Sequence, residues 1–92
     1  MIVRILTEGQ LRLPDDALGE LNQLDDVVLN TCQAKDQAAF EKALANLLDR
    51  VRELGEPLAV EEIVESDFVL PMSDATLEEV EEMMAGDGLI PG

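Results

Sequence analysis

The strongest constraint on the fold is an apolar stripe with helical spacing in the middle of the chain. Asp36 is a favourable N-cap before this stripe, Gly55 suits the position just after a helix, and Pro57 prevents the helix from continuing. Mixed charges occupy the other face. The pattern therefore predicts an amphipathic helix between Asp36 and Gly55. Its apolar positions recur every three or four residues: Phe40, Ala43, Leu44, Leu47, Leu48, Val51 and Leu54.

A second helix is predicted immediately before this one. Pro14 suits the first helical turn, and the pattern extends to about Gln33. The link at residues 34–36 is short, so the two helices are predicted to pack antiparallel as an αα-hairpin. Cys32 lies on the inward face, which predicts a packed thiol and not a reactive one. The apolar stripe of this helix is Ala17, Leu18, Leu21, Leu24, Val28 and Cys32.

The first thirteen residues have the composition and alternation of a β-hairpin. Ile2–Leu6 is rich in strand-forming side chains, 7–9 breaks the run, and Gln10–Leu13 alternates polar with apolar residues. Alternation places Leu11 and Leu13 on one face of this hairpin.

After the helices, Phe68–Leu70 reads as a third strand that Pro71 stops and that joins the N-terminal hairpin. The segment 58–65 is ambiguous, and its three-residue spacing favours a short helical turn over a strand. Thr76 and Glu79 fit a capping box at the start of a short C-terminal helix. The apolar stripe predicted for that helix is Leu77, Val80, Met83 and Met84.

The chain ends in LIPG, which is apolar again after an acidic stretch. Leu89 and Ile90 are most simply explained by folding back onto the core after the last helix. The predicted fold is therefore a small α+β domain spanning residues 1–92. It contains an N-terminal β-hairpin, a third short strand, an αα-hairpin and a short C-terminal helix. With only two aromatic residues among 92, the core must be built from aliphatic side chains.

The charge is strongly negative and segregated. Six basic and 21 acidic residues give a net charge of −15, and residues 53–92 hold twelve acidic groups and no basic one. Binding to nucleic acid and direct binding to an anionic membrane are disfavoured, because both need clustered Lys and Arg. A basic protein partner or a divalent cation would be attracted. No stretch is apolar enough for a signal peptide or a membrane span.

The residue types needed for common enzymatic chemistry are missing from the sequence. It contains no His and one Cys, so no nucleophile–base pair or zinc site can be assembled. We expect no catalytic activity, no cofactor and no bound metal. One alternative stays open, a carboxylate-based hydrolase or cation-dependent enzyme, which would require two converging buried carboxylates.

Two segments are candidates for partner binding. Phe68, Val69, Leu70 and Pro71 form either an edge strand open to a partner or a strand closed inside the sheet. Near the C-terminus, Met83 belongs either to the core or to a partner groove. Through either surface, a homodimer is the alternative to a foreign partner. The candidate partner-binding residues of this C-terminal segment are Glu78, Glu82, Met83, Leu89 and Ile90.

The sequence also resembles a known family over its whole length. The segments MIVRILTEGQ, LPDDALGELNQLDD, SDFVLP and DATLEEVEEMMAGDGLIPG are similar to those of the PspA-associated (PspAA) domain family. Where the family pattern leads us to expect a small residue such as Gly, this chain has Thr7, which affects only the hairpin geometry. The family's motif residues have no chemical role that can be carried over.

The resemblance implies a partner and a process. It predicts a non-enzymatic adaptor of a PspA-like, ESCRT-III-related coiled-coil protein in the envelope stress response. Its expected location is the cytoplasm, reaching the inner face of the membrane only through that partner.

Overall fold

A computed structural model of the chain describes residues 1–59, 64–84 and 89–90. The N-terminal hairpin consists of β1 (Ile2–Ile5) and β2 (Gly9–Arg12), paired antiparallel. The αα-hairpin consists of α1 (Leu18–Gln33), preceded by a 3-10 turn at Asp15–Ala17, and α2 (Gln37–Leu54). Two short strands follow, β3 (Glu56–Pro57) and β4 (Phe68–Leu70), and then the C-terminal helix α3 (Leu77–Met84).

Within the described residues the four strands form one mixed sheet in the order β3-β2-β1-β4. β4 joins β1 in parallel, with Val3 opposite Phe68 and Ile5 opposite Leu70. This confirms the predicted third strand and places it at an edge of the sheet. The prediction missed β3, which carries no alternating apolar pattern. Its Pro57 is compatible with an edge position, since proline cannot donate a ladder hydrogen bond.

The core lies between the inner face of the sheet and the three helices. Val3, Ile5 and Leu70 are fully buried, as are Phe40, Leu47 and other α2 positions of the predicted stripe. Leu11 and Leu13 share the buried side of the hairpin, as alternation predicts. The α+β architecture predicted from the sequence is confirmed.

Hydrogen bonds at the helix ends follow the local sequence. Asp36 caps α2 by accepting from the Ala39 N–H at 3.2 Å. At the end of α1, the Asp36 N–H bonds the Thr31 carbonyl and the Lys35 N–H bonds the Cys32 carbonyl, at 3.1 Å each. This is a Schellman motif, and it places Lys35 at a φ of 57°.

Gly55 directly follows α2, as its sequence position predicts. Its φ is −88°, so no left-handed conformation requires a glycine there. A Cβ at this position would lie 2.9 Å from the Val51 carbonyl oxygen and 3.0 Å from Leu11 Cβ. The reason for glycine at this position is the close approach of the end of α2 to β2.

Residues 60–63, which make up half of the ambiguous segment 58–65, lie outside the described residues. Beyond them, the Val64 carbonyl and the Ser66 hydroxyl each bond Gln10 Nε2 at 2.9 Å. This part of the connection therefore runs beside β2 before the chain reaches β4.

Candidate partner-binding groove

The helix α3 begins with a pair of hydrogen bonds between backbone and side chains. The Thr76 N–H donates to Glu79 Oε1 at 3.1 Å, and the Glu79 N–H donates to Thr76 Oγ1 at 3.2 Å. This reciprocal pair is the capping box predicted from the sequence. Three apolar side chains of α3 are buried: Leu77, Val80 and Met84. Glu79, Glu82 and Met83 consequently share an outward face, since they are separated by three and four residues.

The opposite wall comes from the ends of two strands. Leu6 follows β1, and its N–H bonds the Leu70 carbonyl at 3.0 Å. Met72 follows Pro71, and its carbonyl accepts from the Ala75 N–H at 3.1 Å, which closes the turn leading into α3. Leu6 and Met72 are both half-buried.

Between these two walls lies a groove that is open to solvent and has a volume of about 320 Å³. Its apolar lining is Leu6, Met72, Ala75 and Met83, and its charged lining is Glu79 and Glu82. Met83 is 39% exposed. We call this feature the α3 groove. It combines an apolar lining with negative charge, and no basic side chain among the described residues lines it.

The only buried charged side chain in the described part of the chain lies elsewhere. Asp25 on α1 is 2% exposed. Its carboxylate accepts hydrogen bonds from the backbone N–H groups of Leu89 and Ile90, at 2.9 Å each. Burial raises the pKa of Asp25 above its usual value, and the two N–H donors oppose this effect. The carboxylate pair that the enzymatic alternative requires is not formed by the described residues, since Asp26 beside it is exposed.

Cys32 is buried at 2% exposure, as its place on the inward stripe predicts. Burial raises the pKa of this thiol, and the negative charge of Glu81 raises it further. A high pKa disfavours the thiolate, which is the reactive form of cysteine. The geometry therefore agrees with a structural side chain.

The described residues also lack two features that would indicate other functions. They contain no group of three or more His, Cys, Asp or Glu side chains placed to hold a metal ion. None of their helices is long and apolar enough to cross a membrane.

Comparison with known families matches the model of the family described as PspA-Associated protein to residues 1–92, the whole chain. The chain belongs to the PspA-Associated protein family. No curated protein matches it significantly. No solved structure matches it significantly either. The family description states an association with PspA.

Of the nine residues predicted to bind a partner, four are exposed. Val69 is 39% exposed on the outer face of β4, and Glu78, Glu82 and Met83 are exposed on α3. Only Glu82 and Met83 line the α3 groove. The remaining five are buried in the core of the chain: Phe68, Leu70, Pro71, Leu89 and Ile90. Partner binding itself stays a prediction for all nine.

The two neighbouring methionines differ in exposure, and the sheet order shows where β4 lies. Met84 belongs to the core, whereas assigning Met83 to the inward stripe is wrong, because it faces the α3 groove. Among the described strands β4 pairs only with β1 and lies at the sheet edge, so Phe68–Leu70 is not closed inside the described sheet, and its pairing with a partner stays a prediction. Leu89 and Ile90 fold back onto the core as predicted.

Sequence reasoning missed the other groove residues. Leu6 was predicted only as part of a strand and Glu79 only as part of a helix cap, and Met72 received no prediction, although each lines the α3 groove. The available signal was indirect: Leu6 is the last apolar residue of the predicted first strand, and Met72 is a large apolar residue just beyond the predicted third strand.

Proposed function

We propose that this member of the PspA-Associated protein family is a non-enzymatic adaptor that binds a PspA-like, ESCRT-III-related membrane-remodelling protein. In this role it modulates the partner's assembly or membrane engagement during envelope stress. The observation that carries the proposal is the family match along all 92 residues.

The distribution of charge supports a basic protein partner. Residues 53–92 hold twelve acidic groups and no basic one. Lys35, Arg50 and Arg52 already form ion pairs within the chain, with Glu81, Glu20 and Glu8 respectively. Much of the negative charge is therefore left to act on an approaching partner, which accelerates association with a basic surface.

The hydrogen bonding of the buried Asp25 carboxylate also agrees with a role in presenting a surface. Both Asp25 oxygens are occupied by backbone N–H donors. Within the described residues no buried side-chain nitrogen or oxygen lacks a hydrogen-bond partner. On this proposal the chain works by presenting a surface in the cytoplasm, and it reaches the inner face of the membrane only through its partner.

Copurification with the PspA-like protein of the same organism tests the proposal. We expect a complex at low salt that weakens as the salt concentration rises, because ions screen the attraction. A small acidic protein of similar net charge, unrelated in sequence, serves as the control and should not be retained. Absence of the complex even at low salt would refute the proposal.

The edge position of β4 favours a second candidate, a homodimer formed through the sheet edge. Strands at an edge present backbone groups that a second copy can pair with, and Val69 is exposed there. Sedimentation of the chain alone separates the candidates. A stable dimer that Val69→Lys dissociates supports the homodimer, and a monomer that binds the PspA-like protein supports the adaptor.

A further inference from the structure

The lining of the α3 groove indicates what kind of side chain it accepts. Leu6, Met72, Ala75 and Met83 provide an apolar floor and walls. Methionine adapts its shape easily and is common on surfaces that accept varied apolar side chains. The exposed fraction of Met83 is also large for an apolar side chain. An occupant that inserts apolar side chains would remove this surface from water.

The charges at the groove indicate what must flank those apolar side chains. Glu82 makes no ion pair within the described part of the chain, and Glu79 uses one oxygen to cap α3. An occupant carrying Lys or Arg beside its apolar residues complements these carboxylates. A second copy of the chain is a poor occupant, because each copy carries a net charge of −15. An anionic membrane is disfavoured for the same reason.

The backbone at the groove favours a helix over an added strand. Strand addition needs free backbone groups at a sheet edge. The groove is lined by side chains from outside the strands, and the Leu6 N–H is already bonded to Leu70. Recognition through side chains alone is the mode in which an amphipathic helix inserts apolar residues spaced by three and four positions into a groove.

We propose that the α3 groove binds an amphipathic helix whose apolar face enters between Met83 and Met72 and whose flanking Lys or Arg residues pair with Glu82 and Glu79. This inference rests on the proposed function, since the helix would belong to the PspA-like partner. The groove is thereby assigned as the contact surface, and the chemistry of the bound segment is specified.

The first experiment titrates three fluorescent synthetic peptides with the full chain. One is a helix of Leu and Lys with Leu at helical spacing, the second replaces Lys with Glu, and the third has the same composition as the first but scrambled Leu positions. Only the first should bind well. In a chain labelled at its methionine methyl groups, binding should shift the signals of Met72 and Met83 and leave that of Met1 unchanged. Equal binding of the scrambled peptide, or no shift at Met83, would overturn the proposal.

Matched variants separate the groove from general electrostatics. Glu82→Lys should weaken binding about fivefold to tenfold, whereas Glu78→Lys, on the same helix but outside the groove, should change it less than about threefold. Met83→Gln should weaken binding about fivefold, and Val69→Thr should have no effect. All four positions are exposed, so the variants are expected to fold. Equal effects of Glu82→Lys and Glu78→Lys contradict the groove assignment.

Titrating the full-length PspA-like protein tests the adaptor function and the groove assignment separately. If it binds the wild-type chain and the Glu82→Lys and Met83→Gln variants equally well, the adaptor function stands and the groove assignment is wrong. If it does not bind the wild-type chain while the Leu–Lys peptide does, the groove stands and the adaptor function is wrong.

Discussion

The Ile90 N–H donates a hydrogen bond of 2.9 Å to Asp25 Oδ2, joining two residues separated by 65 positions in the sequence. The neighbouring Leu89 N–H bonds the other oxygen of the same carboxylate. Both apolar side chains are buried beside this contact. Asp25 therefore anchors the apolar LI pair to α1 and satisfies two backbone donors that burial removes from water.

Replacing this carboxylate should destabilise the fold strongly. In Asp25→Ala, two buried N–H groups lose their acceptor, which should lower the free energy of unfolding by about 2–4 kcal/mol. Urea denaturation measures the change. Asp26→Ala removes an exposed carboxylate next in sequence and should stay within about 0.5 kcal/mol of wild type. Similar losses in both variants would contradict the anchoring role.

The pH dependence of stability should carry the signature of a buried carboxylate. Burial raises the pKa of Asp25 above the ordinary 3.8. The folded state therefore binds this proton more tightly than the unfolded state does. The contribution of Asp25 to stability is present in full below pH 3.8 and declines as the pH rises through its folded-state pKa.

Asp25→Asn, which does not titrate, isolates this contribution. The free energy of unfolding of wild type minus that of the variant should become smaller between about pH 4 and neutrality. The ion pairs of Glu8 and Glu20 are common to both proteins and cancel in the difference. Should the difference instead grow with pH, the N–H donors of Leu89 and Ile90 outweigh burial.

Thr7 should be replaceable by glycine with a gain in stability. Its φ is 73°, in the left-handed region that β-branched residues avoid, and it lies in the turn closed by the Glu8 N–H and the Ile5 carbonyl. Thr7→Gly should raise the free energy of unfolding by about 0.5–1 kcal/mol, because relief of strain exceeds the flexibility gained by the unfolded chain.

Gly9 provides the opposite test in the same hairpin. Its φ is +111° and no atom lies within 4 Å of a Cβ built there, so Gly9→Ala reports backbone strain alone. It should lower the free energy of unfolding by about 1–3 kcal/mol in thermal or urea denaturation. A loss of stability in Thr7→Gly would show that the turn does not strain Thr7.

Two further glycines should respond to alanine with opposite signs. Gly55→Ala places a Cβ against Val51 and Leu11 and should cost about 1–3 kcal/mol. Gly19→Ala meets nothing within 4 Å and lies in α1, so it should stabilise by about 0.5–1 kcal/mol. Thermal unfolding of the pair measures both. If Gly55→Ala were neutral, the end of α2 would not approach β2 as closely as described.

Most of the fold was predicted from sequence patterns that involve residues close together in the chain. The three- and four-residue spacing along α2, the Asp36 cap and the Thr76 capping box all correspond to observed structure, because these features depend on residues within one helical turn. The alternation in the hairpin predicted that Leu11 and Leu13 are buried, because successive side chains of a strand point to opposite faces. The relation of β4 to the hairpin was also inferred, since a lone strand needs a partner.

Long-range contacts account for what was missed. Asp25 lies on the buried face of α1 with Leu21 and Val28, and only the return of residues 89–90 supplies the N–H donors that its carboxylate needs there. β3 is held by its pairing with β2 and has no pattern of its own. The α3 groove joins residues after β1 and after β4 with one face of α3, so no single segment encodes it.

The sequence by itself determined the three helices, the hairpin strands and β4, the α+β class, the segregated charge and the family, since each depends on residue type and spacing along the chain. Only the tertiary structure decided which of Met83 and Met84 faces outward, why Asp25 is buried, and where an apolar groove meets Glu82. These depend on how separate elements pack, because exposure and proximity are set by neighbours that lie far apart in the sequence.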